Sequence, residues 1–237
     1  MRWVTGNGAL IAVRTSLAER LAALRGVAIG DLPAPLLDVA VRRVELEGGD
    51  VFLLRPADWE ALRHEEGAAG RPIPFWARPW PSALGMAEEL AAAPPPVGSR
   101  VLELGCGLGL PSIVAARAGA EVLATDGSTD AIAYTAHSLA VNQVEADVAA
   151  ADWAADGDAL VARGPFDLVL GADVLYTREN AAVAMRLLPR LVAPGGMAWF
   201  ADPGRSNSAD FIAAIKSTFR LNTRREGELS MYELTPR

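Results

Sequence analysis

Four acidic side chains follow apolar segments of the chain, each at a position where a buried strand would end. These acids are Glu103, Asp126, Asp152 and Asp173. Two of them have an aromatic companion: Trp153 follows Asp152 directly, and Tyr176 stands three residues after Asp173. Carboxylates accept hydrogen bonds from the ammonium and hydroxyl groups of a ligand, and an aromatic ring can pack on a flat or cationic group. An ionisable side chain at the end of an apolar strand therefore indicates a binding site.

The segments that would position these acids alternate between strands and helices from residue 98 onward. We predict strands at 100–105, 121–126, 144–153, 166–176 and 195–202, and helices at 110–119, 129–142, 178–192 and 208–219. A hairpin over 220–236 closes the chain. Alternating strands and helices imply right-handed βαβ units and a parallel sheet covered on both faces. In such sheets, ligands bind at the carboxyl ends of the strands.

The first third of the chain has a different pattern. We predict a helix over 16–25 capped by Ser16, a hairpin over 38–56, a short helix capped by Asp58 and a helix that begins at Pro81. We therefore divide the chain into an N-terminal extension, residues 1–70, and a single α/β domain, residues 71–237.

The composition of the chain argues against a nucleic-acid-binding, membrane or metal-binding protein. The chain has 237 residues, a net charge of −7 and 51% hydrophobic residues, which is typical of a globular domain. No cluster of lysine and arginine suits a nucleic acid or an anionic membrane, so we expect neither as a partner. The single cysteine, Cys106, fits a reducing compartment, and we find neither a signal peptide nor a transmembrane segment. We expect a cytoplasmic protein, and we expect no metal because no Cys/His cluster has ligand spacing.

The glycine-rich stretch ELGCGLG, residues 103–109, lies between the first strand of the alternating region and the helix after it. Its glycines let the backbone turn tightly against a ligand. The dinucleotide-binding pattern G-x-G-x-x-G requires a third glycine at position 110, where this chain has Leu110. A phosphate-binding loop requires a lysine directly after the glycines, which the chain lacks. An acid at Glu103 instead suits a ligand that carries positive charge and no pyrophosphate. S-adenosylmethionine, with a sulfonium and an α-ammonium group, is such a ligand.

Two further strand ends fit an adenosine-containing ligand. Asp126 can accept hydrogen bonds from both ribose hydroxyls. Asp152 can accept from the adenine amino group while Trp153 packs on the ring. A dehydrogenase would use an acid like Asp126 in the same way, so Asp126 alone does not choose between the two cofactors.

With these motifs the chain resembles the class I S-adenosylmethionine-dependent methyltransferases. It is most similar to methyltransferase family 16, a group of protein lysine methyltransferases with bacterial relatives. The general part of the resemblance is ELGCGLG with Asp126. The specific part is PFWARPWPSALGMAEEL before the glycine loop, DW at 152–153 and DVLY at 173–176, and ADPGR at 201–205 is similar to a flavoprotein-directed branch. The resemblance implies a Rossmann-like seven-stranded methyltransferase sheet, here with an N-terminal helix and hairpin.

The resemblance also assigns residues to the site. Asp173 and Tyr176 match a D-x-x-[FY] motif on the acceptor side of the methyl group, and we assign them as catalytic. It implies S-adenosylmethionine binding at Trp80, Glu103, Gly105, Gly107, Asp126, Asp152, Trp153 and Ala172.

We interpret the protein as an N-methyltransferase that acts on a protein lysine. Two alternatives stay open: a small-molecule N- or O-methyltransferase, and a non-catalytic module that binds S-adenosylmethionine. For Arg205, a solvent-exposed turn and a role in substrate binding are about equally supported. The sequence leaves the acceptor and the oligomeric state open.

Overall fold

The fold is centred on a seven-stranded sheet with the order β5-β4-β3-β6-β7-β9-β8. The structure, a computed structural model, describes the backbone of residues 7–237 and the side chains from residue 11 onward. The sheet strands are β3 (Arg100–Leu104), β4 (Glu121–Asp126), β5 (Asp147–Ala150), β6 (Phe166–Ala172), β7 (Val192–Asp202), β8 (Phe219–Glu226) and β9 (Leu229–Pro236). Strands β3 to β7 pair in parallel, and β9 pairs antiparallel with both β7 and β8. The predicted seven-stranded Rossmann-like sheet is confirmed.

The helices that begin after residue 80 cover the sheet, as expected for parallel strands that are apolar on both faces. They are α4 (Pro81–Ala92), α5 (Leu110–Arg117), α6 (Thr129–Val141), α7 (Trp153–Arg163), α8 (Arg178–Leu191) and α9 (Ser206–Ile215). The earlier helices are α1 (Asn7–Arg25), which packs on α6, and α2 (Ala34–Leu37) and α3 (Trp59–Ala68), which pack on each other. The central strands are almost completely buried: Val101, Leu102, Val169 and Leu170 expose none of their surface. The strand ends that carry the site are therefore anchored in the buried core of the sheet.

The predicted hairpin consists of β1 (Val39–Val44) and β2 (Val51–Pro56), which form a separate two-stranded sheet. Side chains of α6 satisfy the free edge of β2. The Leu54 amide donates to Ser138 Oγ at 3.1 Å, and the Asn142 side chain bonds both the amide and the carbonyl of Phe52. The hairpin thus packs directly on the helix that follows β4.

Helix α1 also packs against α6, and a buried ion-pair network joins them. Arg25 donates to both carboxylate oxygens of Asp130, at 2.8 and 2.5 Å, and to Glu66 of α3 at 3.1 Å. Glu66 is 5% exposed and is also paired with Arg71. Residues before 70 therefore share buried contacts with the rest of the chain, and the domain boundary at residue 70 stays a prediction.

Two local expectations were wrong. Ser16 does not cap a helix, because α1 begins at Asn7 and the Ser16 hydroxyl contacts His137 Nε2 at 3.2 Å from within the helix. The strand expected to end at Trp153 ends at Ala150, and Trp153 begins α7, a helix that the sequence pattern had not predicted.

Among the helices in the described part of the chain, none combines the length and the hydropathy that crossing a membrane requires.

Candidate active site

The glycine loop runs from the end of β3 to the start of α5 in a conformation that requires glycine. Gly105, Gly107 and Gly109 all have positive φ, at 69°, 56° and 79°. A Cβ atom at Gly105 would lie 2.8 Å from Val174 Cγ1 and 3.7 Å from the Trp153 ring. The loop therefore lies close to both the adjacent strand end and an aromatic ring, and a side chain at Gly105 would fill that space.

Glu103 lies at the base of this loop and is 1% exposed. The Ser112 amide donates to Glu103 Oε2 at 2.9 Å, and the Ser112 hydroxyl donates to the same oxygen. Oε1 thus remains available to a ligand. Burial raises the pKa of Glu103 to about 8, with a smaller contribution from the negative charge of Asp126. A buried carboxyl group with no cationic partner among the described residues is suited to bind a cationic ligand.

Asp126, at the end of β4, holds the loop from the opposite side. Its Oδ2 accepts from the Gly107 amide at 2.9 Å, and its Oδ1 accepts from the Ser128 amide at 2.8 Å. Burial raises the pKa of Asp126, while these two backbone hydrogen bonds lower it. Each carboxylate oxygen keeps a second lone pair, so the group can still accept from two hydroxyls of a ligand.

Asp152 has a structural task that the sequence did not reveal. Its Oδ1 caps α7 by accepting from the Ala154 amide at 2.8 Å and the Ala155 amide at 3.3 Å. This leaves Oδ2 for a ligand, and Trp153 is partly buried directly beside it. The cap fixes the position of both side chains at the site.

Asp173 occupies an unusual backbone conformation just beyond β6. Its φ is 56°, which is uncommon outside glycine, and its amide donates to the Ala201 carbonyl at 2.8 Å. Both carboxylate oxygens accept from Arg205, each at 2.8 Å. Arg205 is therefore neither a purely solvent-exposed turn residue nor a free substrate-binding group, because its guanidinium pairs with Asp173.

The segment after Asp173 is fixed by two asparagines that the sequence analysis missed. Asn180 of α8 donates to the Val174 carbonyl at 3.0 Å, and Asn207 of α9 donates to the Tyr176 carbonyl at 2.9 Å. Tyr176 remains 47% exposed, and burial of its remaining surface raises the pKa of its hydroxyl. No periodic or motif signal marked either asparagine, because both contacts depend on tertiary structure.

An aromatic cluster from the segment before α4 lines the site beside Tyr176. The ring of Phe75, 45% exposed, contacts the rings of Trp80 and Tyr176, with centroids 6.2 and 6.1 Å apart. Trp80 donates from Nε1 to the Phe75 carbonyl at 2.7 Å, and the guanidinium of Arg78 lies 4.7 Å from its ring centroid. The segment before α4 thus supplies an apolar rim.

All ten residues assigned from the sequence line one cavity of about 320 Å³. They are Trp80, Glu103, Gly105, Gly107, Asp126, Asp152, Trp153, Ala172, Asp173 and Tyr176. The cavity is also lined by residues that were not assigned, among them Phe75, Trp76, Arg78, Cys106, Glu179 and Asn180. Burial raises the pKa of the Cys106 thiol, so this cysteine stays protonated and is no nucleophile.

The chemistry of these groups fits S-adenosylmethionine. Glu103 offers a buried carboxylate oxygen for the α-ammonium group, Asp126 offers lone pairs for the ribose hydroxyls, and Trp153 offers a ring for the adenine. The space that a Cβ atom at Gly105 would occupy lies among these groups. Fold and site together define a protein of the class I methyltransferase type.

Comparison with known proteins identifies the family. Residues 89–218, more than half of the chain, match the family model described as lysine methyltransferase. The chain therefore belongs to this family, methyltransferase family 16, and family and fold imply S-adenosyl-L-methionine as the cofactor. The matched region contains the glycine loop and Asp173 to Tyr176.

The individual relatives differ in what they methylate. The ubiquinone biosynthesis O-methyltransferase of Ralstonia nicotianae is 37% identical over 131 residues, 54% of this chain and 53% of the relative. The EEF1A lysine methyltransferase 3 of Mus musculus is 32% identical over 133 residues, 55% of this chain and 56% of the relative. The chain thus spans about half the length of the curated relatives it matches.

A solved structure supports the fold. The 16S rRNA N2 G1207 methyltransferase of T. thermophilus, in complex with AdoMet and guanosine, superposes with a TM-score of 0.62 at 19% identity. The superposition covers 84% of this chain and 51% of that chain.

Proposed function

We propose that the protein is an S-adenosylmethionine-dependent N-methyltransferase that acts on a lysine side chain of another protein. The observation that carries this proposal is the match to the lysine methyltransferase family over residues 89–218. The cavity supports it, because its mouth exposes Phe75 and Tyr176 to solvent. A side chain presented by a larger molecule can approach the acceptor side there.

The cofactor supplies a methyl group that the sulfonium makes electrophilic, so the protein mainly has to align the acceptor and the donor. We assign Glu103, Gly105, Gly107, Asp126, Asp152, Trp153, Trp80 and Ala172 to holding the cofactor. Asp173 accepts a hydrogen bond from the acceptor amine and orients its lone pair. The exposed ring of Tyr176 offers its face to the charge that develops on the nitrogen, which contributes about 0.5–2 kcal/mol.

The acceptor amine must first lose a proton, because an ammonium group has no lone pair and a free lysine has a pKa of about 10.4. Burial in the cavity disfavours the charged form and lowers that pKa. The proton passes to solvent as the side chain enters the cavity, so Asp173 has only to accept a hydrogen bond from the neutral amine.

The second candidate is a small-molecule O-methyltransferase, which the Ralstonia relative favours. An oxygen acceptor with a high pKa would need a base to remove its proton. Neither histidine lines the cavity; His137 bonds the Ala133 carbonyl and Ser16 instead. The amine reaction therefore fits the described residues better.

The test is a labelling experiment. The purified protein is incubated with cofactor carrying a tritiated methyl group and with a lysate from cells that lack its gene. We expect label in a discrete protein band. Label only in small molecules would favour the O- or N-methyltransferase of metabolites, and no label despite tight cofactor binding would favour a non-catalytic module.

A substitution at Asp173 tests whether methyl transfer takes place at this site. Asp173→Asn keeps a residue type that tolerates positive φ. It removes the charge and replaces one acceptor by a donor, so one of the two hydrogen bonds from Arg205 is lost as well. We expect at least a hundredfold slower transfer with cofactor affinity nearly unchanged, while the exposed control Asp158→Asn retains full activity. A collapse of cofactor affinity in Asp173→Asn would place Asp173 in the cofactor site instead.

A further inference from the structure

Arg205 contacts the catalytic candidate Asp173, but the proposed reaction gives Arg205 no role. It stands 32 residues after Asp173, yet its Nε and one terminal nitrogen donate to the two carboxylate oxygens of Asp173, each at 2.8 Å. Such a bidentate pair fixes the plane of the carboxylate as well as its position. The Asp173 side chain is 7% exposed and the Arg205 side chain 42%, so the guanidinium covers the solvent side of the pair.

The backbone at Arg205 is held on both sides. Asp202, at the end of β7, accepts from the Gly204 and Arg205 amides at 2.7 Å each. The Arg205 carbonyl accepts from the amide of Ser208 at 3.1 Å and from its hydroxyl at 2.6 Å. The turn therefore delivers the guanidinium in one orientation, and the tight turn uses the positive φ of 87° at Gly204.

Asp173 lines the cavity, and Arg205 is not among its lining residues. The carboxylate is thus shared between the cavity and a permanent cation. A lone carboxylate beside an amine would favour the ammonium form, which cannot react. A carboxylate already paired with a guanidinium can still accept a hydrogen bond, but it attracts a proton on the amine much less.

We propose that Arg205 is a positioning residue that locks the Asp173 carboxylate and neutralises its charge, so that the acceptor amine reacts in its uncharged form. This inference rests on the proposed function, since it requires an amine acceptor. This role explains why Arg205, which does not line the cavity, is held in contact with Asp173 on the acceptor side.

Other charged or titratable groups around the cavity come from several elements: Arg78 before α4, Glu103 on β3, Asp126 on β4, Asp152 before α7, Tyr176 after β6 and Glu179 on α8. Asp202 also lies near Arg205. The pairing with Asp173 raises the pKa of Arg205, so its charge persists at every pH of the assay. Replacing Arg205 alone therefore isolates its effect from these groups.

The test compares the pH dependence of kcat for the wild type, Arg205→Gln and Arg205→Lys, with Arg186→Gln as an exposed control. The probe is the acceptor protein purified from the labelling experiment. In Arg205→Gln we expect the acidic limb of the kcat profile to move up by about one pH unit, with kcat at pH 7 about tenfold lower. Arg205→Lys restores the charge, so we expect its limb near that of the wild type, with a lower plateau because the bidentate contact is lost.

Each outcome has a defined meaning. If kcat of Arg205→Gln is lower than that of the wild type by the same factor at every pH, or if only KM changes, the inference is overturned and the proposed function stays intact. A wild type that labels no protein would remove the proposed function and the inference together. S-adenosylhomocysteine binding of both variants should match the wild type, and both should unfold cooperatively above the assay temperature, which separates the effect from misfolding. Arg205→Gln should unfold at a lower temperature than the wild type, because it leaves the Asp173 carboxylate without its cation.

Discussion

Glu103 provides a prediction that needs no knowledge of the acceptor. With a pKa of about 8, this carboxyl group is about nine-tenths protonated at pH 7 in the free protein. Binding the α-ammonium group of the cofactor requires the carboxylate, so the proton must leave. We therefore expect cofactor binding at pH 7 to release about 0.5–0.9 proton, depending on how far the ligand lowers the pKa.

The same protonation sets the pH dependence of affinity. Each pH unit below the pKa of about 8 costs ~1.4 kcal/mol to ionise Glu103, which is a factor of ten in the dissociation constant. Between pH 7.5 and 5.5 the affinity should weaken by about a hundredfold. Measurements stay below pH 7.5, where the α-ammonium group of the ligand stays protonated.

The assay is isothermal titration calorimetry with S-adenosylhomocysteine in phosphate and in Tris, whose ionisation enthalpies differ. The difference in observed heat between the two buffers gives the number of protons released. Glu103→Gln is the matched variant, since its amide oxygen can still accept from Ser112 but it cannot ionise. Equal heats in both buffers for the wild type, or the same proton release from Glu103→Gln, would refute the reasoning.

The raised pKa also affects the stability of the free protein. The folded state binds the Glu103 proton more tightly than the unfolded state, whose reference value is 4.5. Stability from this group is therefore fully present below about pH 4.5 and is lost as the pH rises through about 8. Between about pH 4.5 and 8, the melting temperature of the wild type should fall relative to that of Glu103→Gln. Melting temperatures that depend on pH in the same way for both proteins would contradict the raised pKa of Glu103.

Two further changes probe the loop and the N-terminal packing. Gly105→Ala should lower the free energy of unfolding by about 1–3 kcal/mol and weaken cofactor binding, because its φ is 69° and the new Cβ would meet Val174 at 2.8 Å. The control is Gly30→Ala, an exposed position outside the cavity whose Cβ would have no neighbour within 4 Å, and equal denaturant midpoints for the two variants would exclude the clash. Arg25→Met should lower the free energy of unfolding, measured in urea, by about 3–5 kcal/mol, since it leaves a buried carboxylate unpaired. The exposed Arg63→Met should cost about 0–1 kcal/mol, and a similar loss from both variants would contradict the buried network.

Local patterns predicted the sheet, and together with the family resemblance they predicted residues that line the cavity, because the motifs are continuous in the chain. The apolar runs predicted as strands at 100–105 and 166–176 contain the central strands β3 and β6, in which Leu102, Val169 and Leu170 are fully buried, although β6 already ends at Ala172. ELGCGLG contains the end of β3 and the loop after it. Parallel strands then bring their carboxyl ends together, which is why acids far apart in sequence line one cavity.

The missed features depend on contacts between distant segments. Helix α7 contains Gly157, which argues against a helix by intrinsic propensity. A Cβ atom there would lie 2.8 Å from the Leu187 side chain, so close packing on α8 accounts for the glycine. The Arg205–Asp173 pair likewise joins residues 32 positions apart, and no local pattern signals it.

The most direct test of the central claim is the chemical identity of the methylated product. The labelled protein band is hydrolysed completely to amino acids, and the radioactive amino acid is separated against methylated standards. We expect label in Nε-methylated lysine, and we expect none there when Asp173→Asn replaces the wild type. Label that resides in any other amino acid, or that Asp173→Asn transfers as fast as the wild type, would contradict this claim.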